Sequence, residues 1–190
     1  MTPFKRKFSI NINLIDLCVV SDSFKKLSFM NNSKKLDVEK LVEDNLNGSG
    51  SLDLENRKLG DEGAISLSNH EILSRVTTLV LGDNEISDKG VAALCNSPYL
   101  SQIKVLNLKS NNITAEGARL LSECSNCSNL DQLVLKFNEI GEEGAKHLAK
   151  SEFLSNLSTL DLFRNHIGPK GALAIKSSPN FKKLSRVRLD

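Results

Sequence analysis

Residues 133–145 read LVLKFNEIGEEGA, and this phrase recurs with small changes along most of the chain. Related phrases begin at Leu52, Leu79, Leu106 and Leu160, and a sixth copy stops soon after its start at Val187. Every step between starts is 27 residues, without insertion or deletion. Chance does not produce equal steps with matching residues, so the sequence predicts an array of stacked structural repeats.

The first part of each repeat has the pattern of a short strand that ends in a turn. Two leucines separated by one variable residue alternate with polar positions, as in a strand with one buried face. An Asn column follows the strands, formed by Asn84, Asn111, Asn138 and Asn165. Because a buried Asn is costly unless its amide is hydrogen-bonded, we expect these side chains to bridge neighbouring repeats. Arg57 occupies the Asn position of the first repeat, which predicts a weaker ladder at that end.

The second part of each repeat has the spacing of a helix. A Gly column is followed by Ala or Val and then, four residues after each Gly, by Leu or Ile, which is helical spacing. The column consists of Gly63, Gly90, Gly117, Gly144 and Gly171. Acidic residues such as Asp61 stand at the helix starts, where the positive end of the helix dipole favours them. The small Gly–Ala pair should let each helix pack closely against its neighbour and against the strands.

One strand and one helix cannot bury their own apolar faces, whereas stacked copies form a continuous core. Strands lie ~4.8 Å apart and helix axes about 8–10 Å apart, so the stack must curve with its strands on the concave side. The pattern L-x-x-L-x-L-x-x-N-x-I, with G-A-x-x-L behind it, resembles the leucine-rich repeat, in particular its ribonuclease-inhibitor-like class. The resemblance covers residues 51–190. It implies an α/β solenoid with a parallel β-sheet on the concave face and α-helices on the convex face, used for protein–protein interaction and usually cytoplasmic.

The two ends of the chain depart from the period. Residues 1–50 contain a degenerate repeat around Leu27, with a helix expected from Ser33 or Lys34 to about Asn45. We interpret residues 1–50 as a capping segment for an array formed by residues 51–190. The last strand ends at Leu189 without a following helix. The sequence therefore predicts either a truncated array or an open edge that a partner or a second copy could cover.

Composition excludes several classes of function. The net charge is only +2, there is no Trp, and there is one Tyr, which disfavours a nucleic-acid coat or a membrane-surface binder. No window approaches the ~20 apolar residues of a membrane span. Polar residues interrupt the apolar stretch near the N-terminus, which disfavours a secretory signal. Four cysteines do not resemble a disulfide framework, so an intracellular, reducing setting is expected.

The sequence offers no catalytic constellation and predicts no cofactor. It has no Gly-rich phosphate loop, nucleophile elbow or H-E-x-x-H pattern, and its three histidines pair with no nucleophile. Residues 123–130, ECSNCSNL, contain a C-x-x-C spacing. Cys127 falls in the apolar column of Leu73 and Leu100, whereas Cys124 falls in a polar position expected at or near the surface. Without a second C-x-x-C, these residues predict no metal or redox site.

The variable positions of the strands are where a repeat scaffold can carry a binding site. The first repeats place Asp53, Glu55 and Asp83 there, whereas the last three are basic and aromatic. The predicted partner-binding residues are Val80, Lys109, Val134, Lys136, Phe137, Phe163, Arg164, Arg186 and Arg188. Exposed Phe beside Arg is typical of an interface, which predicts binding of a protein partner that the sequence does not name.

Three alternatives stay open. The chain could be the recognition part of a larger enzyme or regulator, or a secreted bacterial effector acting inside a host cell, since its G-[DE]-E-G-A phrasing resembles bacterial arrays. It could also bind a polyanion through the basic cluster. Asp161, Asp190 and the low net charge argue against that last alternative.

Overall fold

The computed structural model describes residues 37–190. The strand predicted around Leu27 and the predicted start of the helix after it lie outside the described residues. That helix, α1 (Val38–Asn45), follows its N-cap Asp37 and ends where expected. The role of residues 1–50 as a cap stays a prediction.

Six short strands form one sheet with a fixed step along the sequence. They are β1 (Ser51–Asp53), β2 (Thr78–Val80), β3 (Val105–Asn107), β4 (Gln132–Val134), β5 (Thr159–Asp161) and β6 (Arg186–Arg188). The strands follow one another in chain order and every neighbouring pair is parallel. Leu52 lies opposite Leu79, and each later strand repeats this register. Residues that are one repeat period apart therefore lie opposite each other in the sheet.

A helix follows each of the first five strands and packs against its neighbours in the stack. These helices are α2 (Gly60–Ser68), α3 (Asp88–Cys95), α4 (Ala115–Glu123), α5 (Gly141–Lys150) and α6 (Gly168–Lys176). Short 3-10 helices, which the sequence did not predict, follow three of them at Glu71–Arg75, Leu100–Gln102 and Ser125–Cys127. Parallel strands alternating with helices confirm the predicted α/β solenoid.

The core lies between the sheet and the helix row. Both leucines of the L-x-L pair are fully buried in every complete repeat, for example Leu79 and Leu81. A Cβ added at Gly144 would lie 2.5 Å from a methyl group of Ile140 and 3.0 Å from the Ala118 side chain in α4. The Gly column therefore allows the close helix packing that the sequence predicted.

The Asn ladder is present and joins successive repeats. Asn138 Nδ2 donates to the carbonyls of Leu108 and Leu135, and Asn138 Oδ1 accepts from the N–H of Ile113 in the preceding repeat. Arg57 does not extend the ladder, because its guanidinium instead donates to Asn45 in α1. After the last Asn, the Asp190 carboxylate accepts from the N–H groups of Asn165 and Ile167.

Asp61 has a different role from the one predicted for the acidic residues at the helix starts. It lies in the first turn of α2, but its carboxylate accepts from Ser87 and from the N–H of Gly90. It therefore caps the following helix, α3, as well as facing the dipole of its own helix. Asp88 makes the equivalent bonds to Thr114 and Gly117 at the start of α4.

Candidate protein-binding face

One column of the sheet face has a left-handed backbone in every complete repeat. The residue two positions after the second leucine has a φ between 51° and 59° in each case. The column comprises Asn56, Asp83, Ser110, Phe137 and Arg164. Asn and Asp tolerate this conformation, whereas it costs most other L-residues roughly 1–2 kcal/mol. The backbone geometry therefore accounts for Asn56 and Asp83 but not for a Phe or an Arg.

Phe137 and Arg164 belong to one aromatic–basic cluster, here defined as Lys136, Phe137, Phe163, Arg164 and Arg188. The two phenyl rings meet edge to face with centroids 6.0 Å apart. The Arg164 guanidinium lies 5.4 Å from the Phe137 ring centroid and 5.6 Å from that of Phe163. The Arg188 guanidinium lies 5.1 Å from the Phe163 ring centroid, and Lys136 Nζ lies 5.8 Å from that of Phe137. These cation–π contacts hold the charged groups beside an exposed apolar surface.

The cluster forms one wall of an open depression of about 750 Å³. Phe137, Phe163 and Arg164 line it, together with His166 and Asp190. The Phe137 side chain is 41% exposed, which is high for a large apolar residue. The depression thus combines aromatic surface with cationic and anionic groups, a composition suited to a polypeptide segment.

Lys109 belongs to the other half of the face. Its Nζ lies 2.7 Å from Glu55 and 3.7 Å from Asp83. The hydrogen bond to Glu55 raises the pKa of Lys109 despite partial burial. Lys109 therefore neutralises acidic groups of the first repeats, although the sequence grouped it with the basic residues of the last repeats.

The other predicted binding residues lie either in the inner strands β2 and β4 or in the last strand, β6. Val80 and Val134 are half-buried in β2 and β4, whereas Arg186 and Arg188 are exposed in β6. Val187 of β6 is 38% exposed, so the final strand leaves part of the apolar layer open. Contact of any of these residues with a partner stays a prediction.

The cysteines differ from the sequence-based expectation. Cys124, predicted at or near the surface, is 5% exposed, and Cys127 is buried as predicted. Cys95 joins them from the preceding repeat. The sequence interpretation compared residues in the same repeat position and so missed Cys95, which occupies a different position of an adjacent repeat. Ser97 and Ser151, in the same repeat position as Cys124, each donate to the backbone carbonyl 29 residues earlier, so in the structure this position faces the preceding repeat.

No helix among residues 37–190 is both long and apolar enough to cross a bilayer.

The fold and the exposed sheet face define a repeat solenoid of the kind built from strand–helix units. A family profile described as "Leucine Rich repeat" matches residues 76–95, 101–122, 126–149 and 153–176. The chain is a leucine-rich repeat protein. Such repeats are generally non-catalytic modules for protein interaction. The ribonuclease-inhibitor-like class stays a prediction, because the matching profile describes the repeat and not a subclass.

Two of the solved structures that are similar to this chain illustrate the match. One is an internalin (inlF) from Listeria monocytogenes str. 4b F2365, at 32% identity over 62% of this chain, with a TM-score of 0.43. This chain covers only 29% of that internalin. The other is Leiomodin-1 Actin-Binding Site 2, at 17% identity over 77% of this chain and 88% of that chain, with a TM-score of 0.51. At that identity the likeness supports the fold alone. No curated protein matches the sequence.

Proposed function

We propose that the chain binds a partner protein through the β4–β6 end of its sheet face, without catalysis. The aromatic–basic cluster would form the centre of the contact. The observation that carries the proposal is the left-handed backbone at Phe137 and Arg164, since neither residue type relieves the cost of that conformation. The turn after the strand imposes this backbone in every repeat, so a Phe or an Arg there is a costly choice of residue, as is typical of positions kept for binding.

The charges of the face indicate the chemistry of the partner. Lys109 pairs with Glu55 and Asp83 at one end, whereas Arg164 and Arg186 at the other end have no carboxylate within ion-pair distance among residues 37–190. Arg188 is only loosely paired, with 3.7 Å between its Nη1 and Asp161 Oδ2. An acidic segment with apolar side chains would complement these groups, with aromatic burial giving affinity and charge giving orientation.

The same residues support the second candidate, a polyanion ligand, less well. Asp161 and Asp190 lie within the basic end and would repel phosphate or sulfate groups. A polyanion complex would lose affinity steeply with salt, whereas an aromatic contact would not. An intracellular setting, in the chain's own cell or in a host cell, remains part of the proposal, as does membership in a larger protein.

A pair of matched variants tests the proposal. In the first, Phe137, Phe163 and Arg164 are all changed to Ser. In the second, Phe153, Leu173 and Lys176, which are exposed in the helix layer, are changed to Ser. We expect affinity capture with the first variant to lose partners that the intact chain and the second variant retain at moderate salt.

The result can contradict the proposal in two ways. Capture that is unchanged in the first variant would place the binding face elsewhere. Partners that are nucleic acids or sulfated glycans, released by moderate salt, would favour the polyanion candidate.

A further inference from the structure

Three thiols from two repeats meet on the helix side of the solenoid, away from the sheet face. Cys95 is the last residue of α3, Cys124 is the C-cap of α4, and Cys127 ends the 3-10 helix Ser125–Cys127. Their sulfur atoms all lie within 4.8 Å of one another, and those of Cys124 and Cys127 are 3.0 Å apart. This thiol cluster comprises every cysteine among residues 37–190.

The scaffold does not require a thiol at any of the three positions. Ser68 and Ser122 occupy the position of Cys95 in the neighbouring repeats, and Ser97 and Ser151 occupy that of Cys124. The Ser97 and Ser151 hydroxyls donate to a carbonyl of the preceding repeat, as the Cys124 thiol does to the Cys95 carbonyl at 3.7 Å. Leu100 and Leu154 take the place of Cys127. Cysteine thus replaces the usual residue in three separate columns only where the three side chains converge.

The cluster is sheltered on one side and open on the other. Cys127 is 1% exposed and Cys124 is 5% exposed. An opening of about 310 Å³ reaches Cys95 and Cys124, with Asn126 and Glu123 also on its walls. An ion could therefore enter from this side and keep one position free for solvent.

The hydrogen bonds at the cluster favour a thiolate. Thiols of Cys127 and Cys95, together with the N–H groups of Cys127 and Asn126, donate towards the Cys124 sulfur and lower the pKa of Cys124 to about 4. The same thiol–thiol bonds raise the pKa of Cys95 and of Cys127. A metal ion that replaces the shared protons would bind the three sulfurs as thiolates.

We propose that Cys95, Cys124 and Cys127 bind one zinc ion as thiolates, with the fourth position open to solvent through the adjacent opening. Three ligands with Zn–S bonds of ~2.3 Å in tetrahedral geometry would have sulfurs about 3.8 Å apart. The cluster brackets that value, since its shortest separation is 3.0 Å and none exceeds 4.8 Å. Small side-chain adjustments would suffice. A site whose only protein ligands are thiolates selects zinc or Cu(I). The open fourth position favours zinc, because zinc binds four ligands.

The test uses the full chain, reduced with a phosphine and freed of metal under anaerobic conditions. Zn²⁺ is titrated in competition with a chromophoric chelator. We expect one tight site, with proton release and with affinity that falls as the pH is lowered. Co²⁺ in place of Zn²⁺ should give the intense near-ultraviolet absorption of thiolate ligation.

Variants that restore the usual repeat residues separate binding from folding. Cys95→Ser, Cys124→Ser and Cys127→Leu each introduce a side chain that neighbouring repeats already hold at the same position. Each should weaken zinc binding by about a hundredfold or more. The triple variant should keep the circular dichroism and cooperative unfolding of the intact chain. Cys18→Ser is the matched control and should bind like the intact chain.

Four outcomes would overturn the proposal. They are a folded, reduced chain that does not bind Zn²⁺, equal binding by the triple variant, loss of binding in Cys18→Ser, and one tight Cu(I) site without zinc binding.

Discussion

Lys109, which follows β3, reaches past the intervening repeat to Glu55, which follows β1, with 2.7 Å between Nζ and Oε1. Its side chain passes over Gly82, where an added Cβ would lie 2.8 Å from two Lys109 carbons. The absence of a side chain at residue 82 thus leaves space for this pair. Glu55 and Asp83 are paired within the chain, whereas Arg164 and Arg186 at the other end of the face have no ion-pair partner among residues 37–190.

The Lys109–Glu55 pair should show a measurable but small coupling. Its two side chains are partly exposed, at 24% and 37%, so we expect about 0.5 kcal/mol from a double-mutant cycle of Lys109→Gln and Glu55→Gln. Urea unfolding of the four proteins at low salt measures it, and high salt should reduce it. In a Gly82→Val background the coupling should vanish, because the valine side chain would occupy the space through which Lys109 passes. A coupling that persists there would show that the path over residue 82 is not required.

Asn138→Ala should be strongly destabilising. The change removes two donated bonds and one accepted bond and leaves the carbonyls of Leu108 and Leu135 without this partner in a buried setting. We expect a loss of roughly 3 kcal/mol in the free energy of unfolding, since each orphaned buried group costs ~1–3 kcal/mol. Asn112→Ala is the matched control, because Asn112 is exposed and its side chain makes no hydrogen bond among residues 37–190. Equal losses in the two variants would contradict a structural role for the ladder.

The sequence predicted the features of this fold that repeat once per period. The buried leucines, the Asn ladder, the Gly column and the sheet register all follow from the step of 27 residues, because each compares one repeat with the next at the same position. The sequence also identified Phe137 and Arg164 as exposed, variable strand positions. It did not predict the contacts between their side chains, because those contacts depend on how the backbone turns after the strand.

The features that the sequence did not reveal are side-chain contacts between repeats, either at different positions of adjacent repeats or at the same position two repeats apart. Cys124 meets Cys95 at a separation of 29 residues, and Lys109 meets Glu55 at 54. Such contacts depend on the stacking geometry and on which side chain is long or small enough to span the gap. Comparison within one column therefore predicted Cys124 near the surface, and charge alone grouped Lys109 with the basic residues.

Asp61→Asn should change the response of stability to acid. Burial alone would raise the pKa of Asp61, but the bonds from Ser87 and Gly90 outweigh it and lower that pKa below its ordinary 3.8. A lowered folded-state pKa stabilises the protein above the ordinary value, and this stabilisation is lost as the pH falls through the folded-state value. Asn keeps an acceptor for both N–H groups but loses the charge, which should cost about 1 kcal/mol at neutral pH.

The measurement is the free energy of unfolding of both proteins from neutral pH to about pH 2.5. The difference between the intact chain and Asp61→Asn should shrink as the acid titrates Asp61. Glu152→Gln serves as the control, since Glu152 is exposed and makes no ion pair within residues 37–190. A difference that stays constant over the whole range would show that the charge of Asp61 does not matter.

Phe137→Gly should be more stable than Phe137→Ala, contrary to the usual order of these residues. Phe137 has a φ of 59°, where Ala is strained by roughly 1–2 kcal/mol. Glycine avoids that strain but loses ~0.5–1 kcal/mol more chain entropy on folding. We therefore expect Phe137→Gly to exceed Phe137→Ala by about 0.5–1 kcal/mol in chemical unfolding.

Phe163 provides the matched control for this comparison. It packs against Phe137 in the same cluster, but its backbone is not left-handed. Phe163→Gly should therefore be less stable than Phe163→Ala by about 0.5–1 kcal/mol, the reverse of the order at residue 137. If both sites prefer Ala, the left-handed conformation does not strain Phe137, and the backbone argument for a binding role at this position fails. Opposite signs at the two neighbouring rings would show that Phe137 is held at the face at a cost to stability.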